Sequence, residues 1–320
     1  MYEHSRFNSW HAGSIVCHSE ALSVSGDVNG QMPELPLPLI TRTLEAFKLC
    51  AFGTRVGLAL AAKGRIADAL KTAAYPLGYW RFLPIAYLLH YAKTNRAVRI
   101  LDVASPKLVG LYLAHKNGRD VYATDLDDEK LFSRWSAAAD ALDLKNYHVS
   151  FQDARRLQFP DNNFDLVYSI SVIEHIPEDG DIQAMHEFRR VLKPGGIALV
   201  EVPYRRIADM IHMPYSSKGL PSPECRPMFY ERHYDSKSLD QRLIVPGLTV
   251  VNRLILGEWF ALDPWISTKR LPWLLRATFL PFEPLFAAMN YWARADDRKG
   301  RPLAALLLFR KHGIEASSKV

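Results

Sequence analysis

The chain has 320 residues, 48% of them hydrophobic and 23% charged, with a formal net charge of +6 and a pI near 9.1. That balance is ordinary for a folded soluble protein, and the length fits one large domain with appendages. The excess of base favours anionic partners such as phosphates or acidic lipid headgroups. The basic residues are scattered rather than gathered in a tract, so nucleic acid is not expected as a partner. Cys17, Cys50 and Cys225 are few and far apart, which excludes a disulfide framework and a cysteine metal site and suits a reducing cytoplasm.

Residues 1–40 read as a flexible extension ending in Pro33-Glu34-Leu35-Pro36-Leu37-Pro38. Charged residues interrupt Met1 to Gly30, so no secretory leader is expected. Residues 41–95 carry a helical pattern and read as an α-helical cap, with Tyr79-Trp80-Arg81-Phe82 before its last helix. No run of eighteen apolar residues is present to span a membrane. The expected location is the cytoplasm, with peripheral membrane attachment left open.

From Val98 the texture changes to short apolar runs alternating with helical segments, as in a doubly wound parallel α/β sheet. Strands are expected at Val98–Val103, Asp120–Thr124, Tyr147–Phe151, Phe164–Ile170 and Ile197–Val202. Helices are expected at Pro106–Lys116, Glu129–Leu142 and Ile182–Leu192, the last stopped by Lys193-Pro194-Gly195-Gly196. Leu248–Leu256 and Leu303–Phe309 read as two closing strands. The main domain is bounded at 96–312, with a tail over 313–320.

Acids sit at the ends of three successive strands. Asp102 closes the first strand and precedes a turn, where Ser105 is expected to cap a helix that begins at Pro106. Asp125 closes the second, placed to accept hydrogen bonds from ribose hydroxyls. Asp153 follows the third, within reach of an adenine amino group. A helix N-terminus at the end of a parallel strand is where such sheets bind anionic ligand groups.

Three blocks then occur in order: Phe159-Pro160-Asp161-Asn162-Asn163-Phe164-Asp165-Leu166-Val167-Tyr168-Ser169, Val172-Ile173-Glu174-His175-Ile176-Pro177, and Phe188-Arg189-Arg190-Val191-Leu192-Lys193-Pro194-Gly195-Gly196. With the strand-end acids, they make the segment from Val98 to Val202 resemble the class I S-adenosylmethionine-dependent methyltransferases, in particular the small-molecule branch with ubiquinone-biosynthesis-like enzymes. The resemblance implies a Rossmann-like sheet of seven strands whose last two form an antiparallel hairpin, with S-adenosylmethionine across the strand ends. It puts Asp102 and Ala104 by the methionine part, Asp125 and Leu126 at the ribose, and Asp153 and Ala154 at the adenine. Ser169 and Ile170 would line the floor under the sulfonium, and His175 would face the acceptor as the catalytic residue.

The chain departs from the family at the first turn, which is usually acid-x-Gly-x-Gly and here is Asp102-Val103-Ala104-Ser105-Pro106. Ala104 and Ser105 leave less room for backbone to approach a ligand than glycine does. Lys107 stands in the first turn of the next helix, where a cation opposes the macrodipole. It is therefore expected to meet an anion, the carboxylate of the cofactor. Quinone-pathway relatives can carry a metal-binding Glu-x-x-Glu-His; Glu174-His175 is present here, but Ser171 takes the earlier glutamate position, so no bound metal is expected. Arg232-His233-Tyr234 reads as surface and packing.

An insertion over 259–300 separates the two closing strands and holds Trp259, Trp265, Trp273 and Trp292. It reads either as a helical element packed on the core or on a second subunit, or as an amphipathic lid for an apolar, lipid-like acceptor, resting on a membrane surface. Two functions follow: methyl transfer to a small acceptor, or a catalytically silent scaffold that keeps the fold. A nicotinamide dehydrogenase is set aside, because Gly-x-Gly-x-x-Gly does not follow the first strand.

Overall fold

The computed structural model describes residues 37–74, 78–94, 97–126, 129–214, 227–261 and 283–313. They all lie within the compact unit Gln31–Val320. The extension expected over 1–40 falls almost wholly outside the described residues, as do 262–282 of the insertion, with Trp265 and Trp273.

Three helices lead: α1 (Leu39–Ala62), α2 (Ile66–Ala74) and α3 (Phe82–Thr94), the last entered through a 3-10 turn at Tyr79–Arg81. α3 is apolar almost all round, and ten of its residues from Phe82 to Ala92 are buried. A helix with no polar face belongs inside a protein, and α3 runs into the large core formed with Leu49, Phe52, Val56, Ile100 and Leu166.

The sheet follows: β1 (Arg99–Val103), α4 (Lys107–Asn117), β2 (Asp120–Asp125), α5 (Glu129–Ala141), β3 (Tyr147–Phe151), β4 (Phe164–Ile170), α6 (Gly180–Val191) and β5 (Leu192–Pro203). The pairs β1–β2, β2–β3, β1–β4 and β4–β5 are parallel. After β5 come β6 (Asp209–Pro214), β7 (Pro227–His233), α7 (Ser236–Leu243), β8 (Leu248–Glu258), α8 (Glu283–Asn290), β9 (Tyr291–Arg294) and β10 (Arg301–Lys311). Strand order is β3-β2-β1-β4-β5-β10-β8-β9, with β10 antiparallel to both β5 and β8. The Rossmann-like α/β sheet with antiparallel closing strands is the architecture the sequence implies.

Among the described residues the sheet has eight strands where seven were expected. The extra one is β9, from the end of the insertion, paired antiparallel to the free edge of β8 through Gly257↔Trp292. A Cβ at Gly257 would meet the Trp292 ring at 2.2 Å, so glycine makes room for the indole that seals this edge. Two further corrections are local. Pro106 rather than Ser105 holds the cap position of α4 and gives no side-chain cap; the Ser105 hydroxyl instead accepts from the Ile170 amide at 2.9 Å. Lys193-Pro194-Gly195-Gly196 is not a loop after α6 but the opening of β5, which starts directly at Leu192.

Candidate functional site at the carboxyl ends of the strands

The carboxyl ends of β1, β2 and β3 bring together the three acids picked out above. Asp102 is fully buried. One carboxylate oxygen accepts from the Ser105 amide (2.9 Å) and the Lys107 ammonium (3.3 Å), the other from the Tyr168 hydroxyl (2.9 Å). Burial pushes its pKa up, against the opposing pull of Lys107, Tyr168 and the amide. Ala104 sits at φ +52, the left-handed conformation that glycine adopts freely and that costs an alanine about 1–2 kcal/mol. The turn thus keeps the path of a glycine turn without the glycine.

Lys107 is enclosed at the same strand ends. Its side chain is 2% exposed, and its ammonium lies among the Asp102 carboxylate, the Ser105 carbonyl (3.0 Å) and the Thr124 carbonyl (2.9 Å), with the Asp125 carboxylate at 3.6 Å. An ammonium has three donors, and all three are engaged within the chain. The anions beside Lys107 within the chain are Asp102 and Asp125.

Asp125 keeps a quarter of its side chain exposed. One oxygen accepts from the Leu126 amide at 2.9 Å, and Leu126 itself is exposed. Asp153 is gripped by Arg155, whose guanidinium reaches both carboxylate oxygens at 3.0 and 2.7 Å. That contact holds the Asp153 carboxyl below its usual range. Ala154 packs against the second core cluster. Ser169 and Ile170 end β4 fully buried, and the Ser169 hydroxyl oxygen finds no partner among the described residues.

Beyond β4 the chain passes Ser171, at φ +53, into a 3-10 turn at Ile173–His175. His175 is 38% exposed. Its Nδ1 lies 2.8 Å from the Tyr230 carbonyl, and Nε2 lies 3.7 Å from Glu174 and 3.9 Å from Glu231. With Nδ1 donating to a carbonyl, Nε2 is left as the proton-accepting nitrogen. Glu174 is 1% exposed, and one of its carboxylate oxygens has no hydrogen-bond partner among the described residues. Burial raises its pKa well above the usual carboxyl value, with Glu201 and Glu231 adding to the rise and Arg81 opposing it. Glu201, on β5, accepts from the Ser171 hydroxyl at 2.8 Å.

Glu201, Glu231 and Arg81 were not singled out from the sequence. An acid inside the apolar run Ile197–Val202 was the available signal for Glu201. Glu231 arrives on the β6–β7 hairpin, paired with His233 at 2.8 Å. Arg232 and Tyr234 are buried rather than at the surface, and both meet the buried Asp181, at 3.1 and 2.6 Å. Among the described residues, no group of three or more His, Cys, Asp or Glu is arranged to hold a metal ion. A cavity of about 270 Å³ opens at the opposite ends of β4 and β5, beside Asp165 and Lys193.

Two outcomes follow from this geometry. Lys107→Ala leaves Asp102 buried without its cation, so it should destabilise the fold by about 3 kcal/mol in urea unfolding; an unchanged midpoint would deny the pair its structural weight. For Glu201, burial pushes the pKa from 4.5 to about 7. Between those values the folded chain keeps a proton that the unfolded chain has lost, so stability falls as pH rises through this window, by roughly 3 kcal/mol. Glu201→Gln should flatten that slope in unfolding curves measured from pH 4.5 to 7.5; a slope identical to wild type would refute the assignment.

Part of the chain is similar to known proteins. Residues 101–200 match the family model described as a methyltransferase domain. A sterol 24-C-methyltransferase of Gibberella zeae is 29% identical over 117 residues, covering 35% of this chain and 29% of that protein. A protein of Aspergillus luteorubrus named "Probable methyltransferase" is 34% identical over 122 residues, 35% of this chain and 41% of that one. The chain thus spans less than half the length of either curated relative. Among solved structures, the [4+2]-cyclase SpnF aligns with a TM-score of 0.48 at 19% identity, covering 73% of this chain and 83% of its own. Residues 101–200, about a third of the chain, are thus similar to the methyltransferase-domain family.

Proposed function

We propose that this chain transfers a methyl group from S-adenosylmethionine to a small, apolar or lipid-like acceptor. The observation that carries this reading is the line of strand-end acids, Asp102, Asp125 and Asp153, around a turn that holds Ala104 in a glycine conformation. Strain of that kind persists where the surroundings over-determine it, as ligand clamps do.

In this reading S-adenosylmethionine supplies an electrophilic methyl carbon on a sulfonium. The residues that would hold it fit the task unevenly. Asp125, a quarter exposed, has acceptor capacity for ribose hydroxyls, with Leu126 beside it. Asp153 and Ala154 flank the adenine position, where Arg155 already occupies the Asp153 carboxylate. Asp102, buried, fixes the turn rather than touching the ligand. Ala104 borders the methionine part, and Ser169 and Ile170 form a closed floor. Methyl transfer needs chiefly in-line positioning of a nucleophile. His175, oriented through Nδ1 by the Tyr230 carbonyl, would accept a proton at Nε2 from an acceptor hydroxyl or acidic carbon, with Glu174 and Glu231 beside the imidazolium.

The apolar character of the acceptor is supported by the exposed Trp259, Phe260, Leu285 and Met289 around the insertion, and by the similarity to a sterol methyltransferase over about a third of the chain. Peripheral contact with a lipid surface through 259–294 belongs to the same reading. No helix among the described residues is long and apolar enough to cross a membrane. One feature favours the silent-scaffold alternative: the Lys107 ammonium already lies 3.6 Å from the Asp125 carboxylate, on which ribose would have to compete.

Titration calorimetry with S-adenosylmethionine and S-adenosylhomocysteine, on wild type and Asp125→Ala, tests the reading. Micromolar binding to wild type, weakened at least about tenfold in the variant by loss of hydrogen bonds to a charged group, is expected. Turnover should then favour sterol- or quinone-like acceptors, presented in liposomes, over polar amines. No binding of either ligand to wild type would overturn the enzyme reading in favour of a scaffold.

A further inference from the structure

The buried carboxyls beyond β4 have no counterpart in the ligand contacts just described. Glu201 lies directly across from Ile170 in the β4–β5 register, and the Ser171 amide and hydroxyl both bond back to Glu201, its carbonyl at 3.1 Å and its carboxylate at 2.8 Å. Glu174 follows in the next turn, fully buried, with an oxygen that meets no donor among the described residues. Two acids are therefore enclosed at the end of the strand where the proposed function places the sulfonium. Glu231 approaches from β7 and Arg81 from the turn before α3, with His175 and His233 beside Glu231.

Resting on the reading of this site as a methyl-donor site, we propose that the buried carboxyls of Glu174 and Glu201 hold a proton that leaves when the positively charged donor binds. In the free protein desolvation opposes charge on either buried carboxyl, and Glu201 adds to the rise at Glu174. The shifts agree: Glu201 titrates at about 7 and Glu174 well above its usual range. Glu231, by contrast, is held below its usual value by His233 and remains charged. A sulfonium arriving above the pair replaces the proton as the compensating cation, so a proton leaves to solvent.

The same exchange runs backwards during the reaction and balances. The acceptor's lone pair forms the new bond to the methyl carbon. The carbon–sulfur bond breaks with its electron pair going to sulfur, leaving a neutral thioether, and the proton shed by the acceptor passes through His175 Nε2, 3.7 Å from Glu174, to the ionised carboxyls. The enclosed charge is the same before and after.

Proton release on binding measures this directly. Calorimetry of the full chain at pH 7 in buffers of different ionisation enthalpy should show proton release with S-adenosylmethionine and much less with S-adenosylhomocysteine, which carries no sulfonium. Glu174→Gln and Glu201→Gln should each shrink that difference. The wild-type comparison needs no variant to fold. If both ligands bind with equal proton release, or the difference persists in both variants, the pair has no such role while the donor site stands. If neither ligand binds, the donor reading falls and this proposal falls with it.

Discussion

The buried pair of Asp102 and Lys107 ties together the end of the sheet. Asp102 reaches from β1 to the turn through the Ser105 amide, to β4 through the Tyr168 hydroxyl, and to α4 through the Lys107 ammonium. Lys107 continues the chain of contacts to β2 through the Thr124 carbonyl and Asp125. A carboxylate and an ammonium so enclosed are tolerable only because each remaining donor and acceptor is met. Even the packing bends to it, since a Cβ at Gly110 would stand 3.1 Å from the Asp102 carboxylate. The relative placement of the two strand ends that carry Asp102 and Asp125 follows from this one cluster.

That cluster also explains how a turn without its glycines keeps its shape. Ala104 holds a left-handed backbone because its amide bonds to the Thr124 carbonyl at 2.8 Å while Ser105, on its other side, is pinned to Ile170. Lys107 supplies internally the contacts that a more open turn would leave to a ligand. The cation of the first helical turn is thus a structural part of the strand ends, and ribose binding at Asp125 would take place beside it.

The parallel half of the sheet was legible because β1, β2, β4 and β5 are short apolar runs ended by polar residues, and burial on both faces demands such runs. The β6–β7 hairpin was not. Asp209–Pro214 and Pro227–His233 mix charge, histidine and proline, and all but one of their residues are half-buried or exposed, so no alternation announces them. β9 hid within an aromatic insertion, where Trp292 owes its place to the absent side chain of Gly257. At the site, Asp125 and His175 could be picked out by their order along the chain. The destination of Lys107 could not, since its partners are two backbone carbonyls and two acids brought together only by folding. Glu201 and Glu231 became relevant for the same reason: they reach His175 and Glu174 from strands far along the chain.

The central claim is that these strand ends hold a methyl donor without displacing Lys107. A crystal structure of the protein with S-adenosylhomocysteine tests it most directly. The account predicts ribose hydroxyls on the Asp125 carboxylate, adenine beside Asp153 and Ala154, and Lys107 still on Asp102. A ligand bound elsewhere, or one seated only after Lys107 has swung out of its buried position, would contradict it.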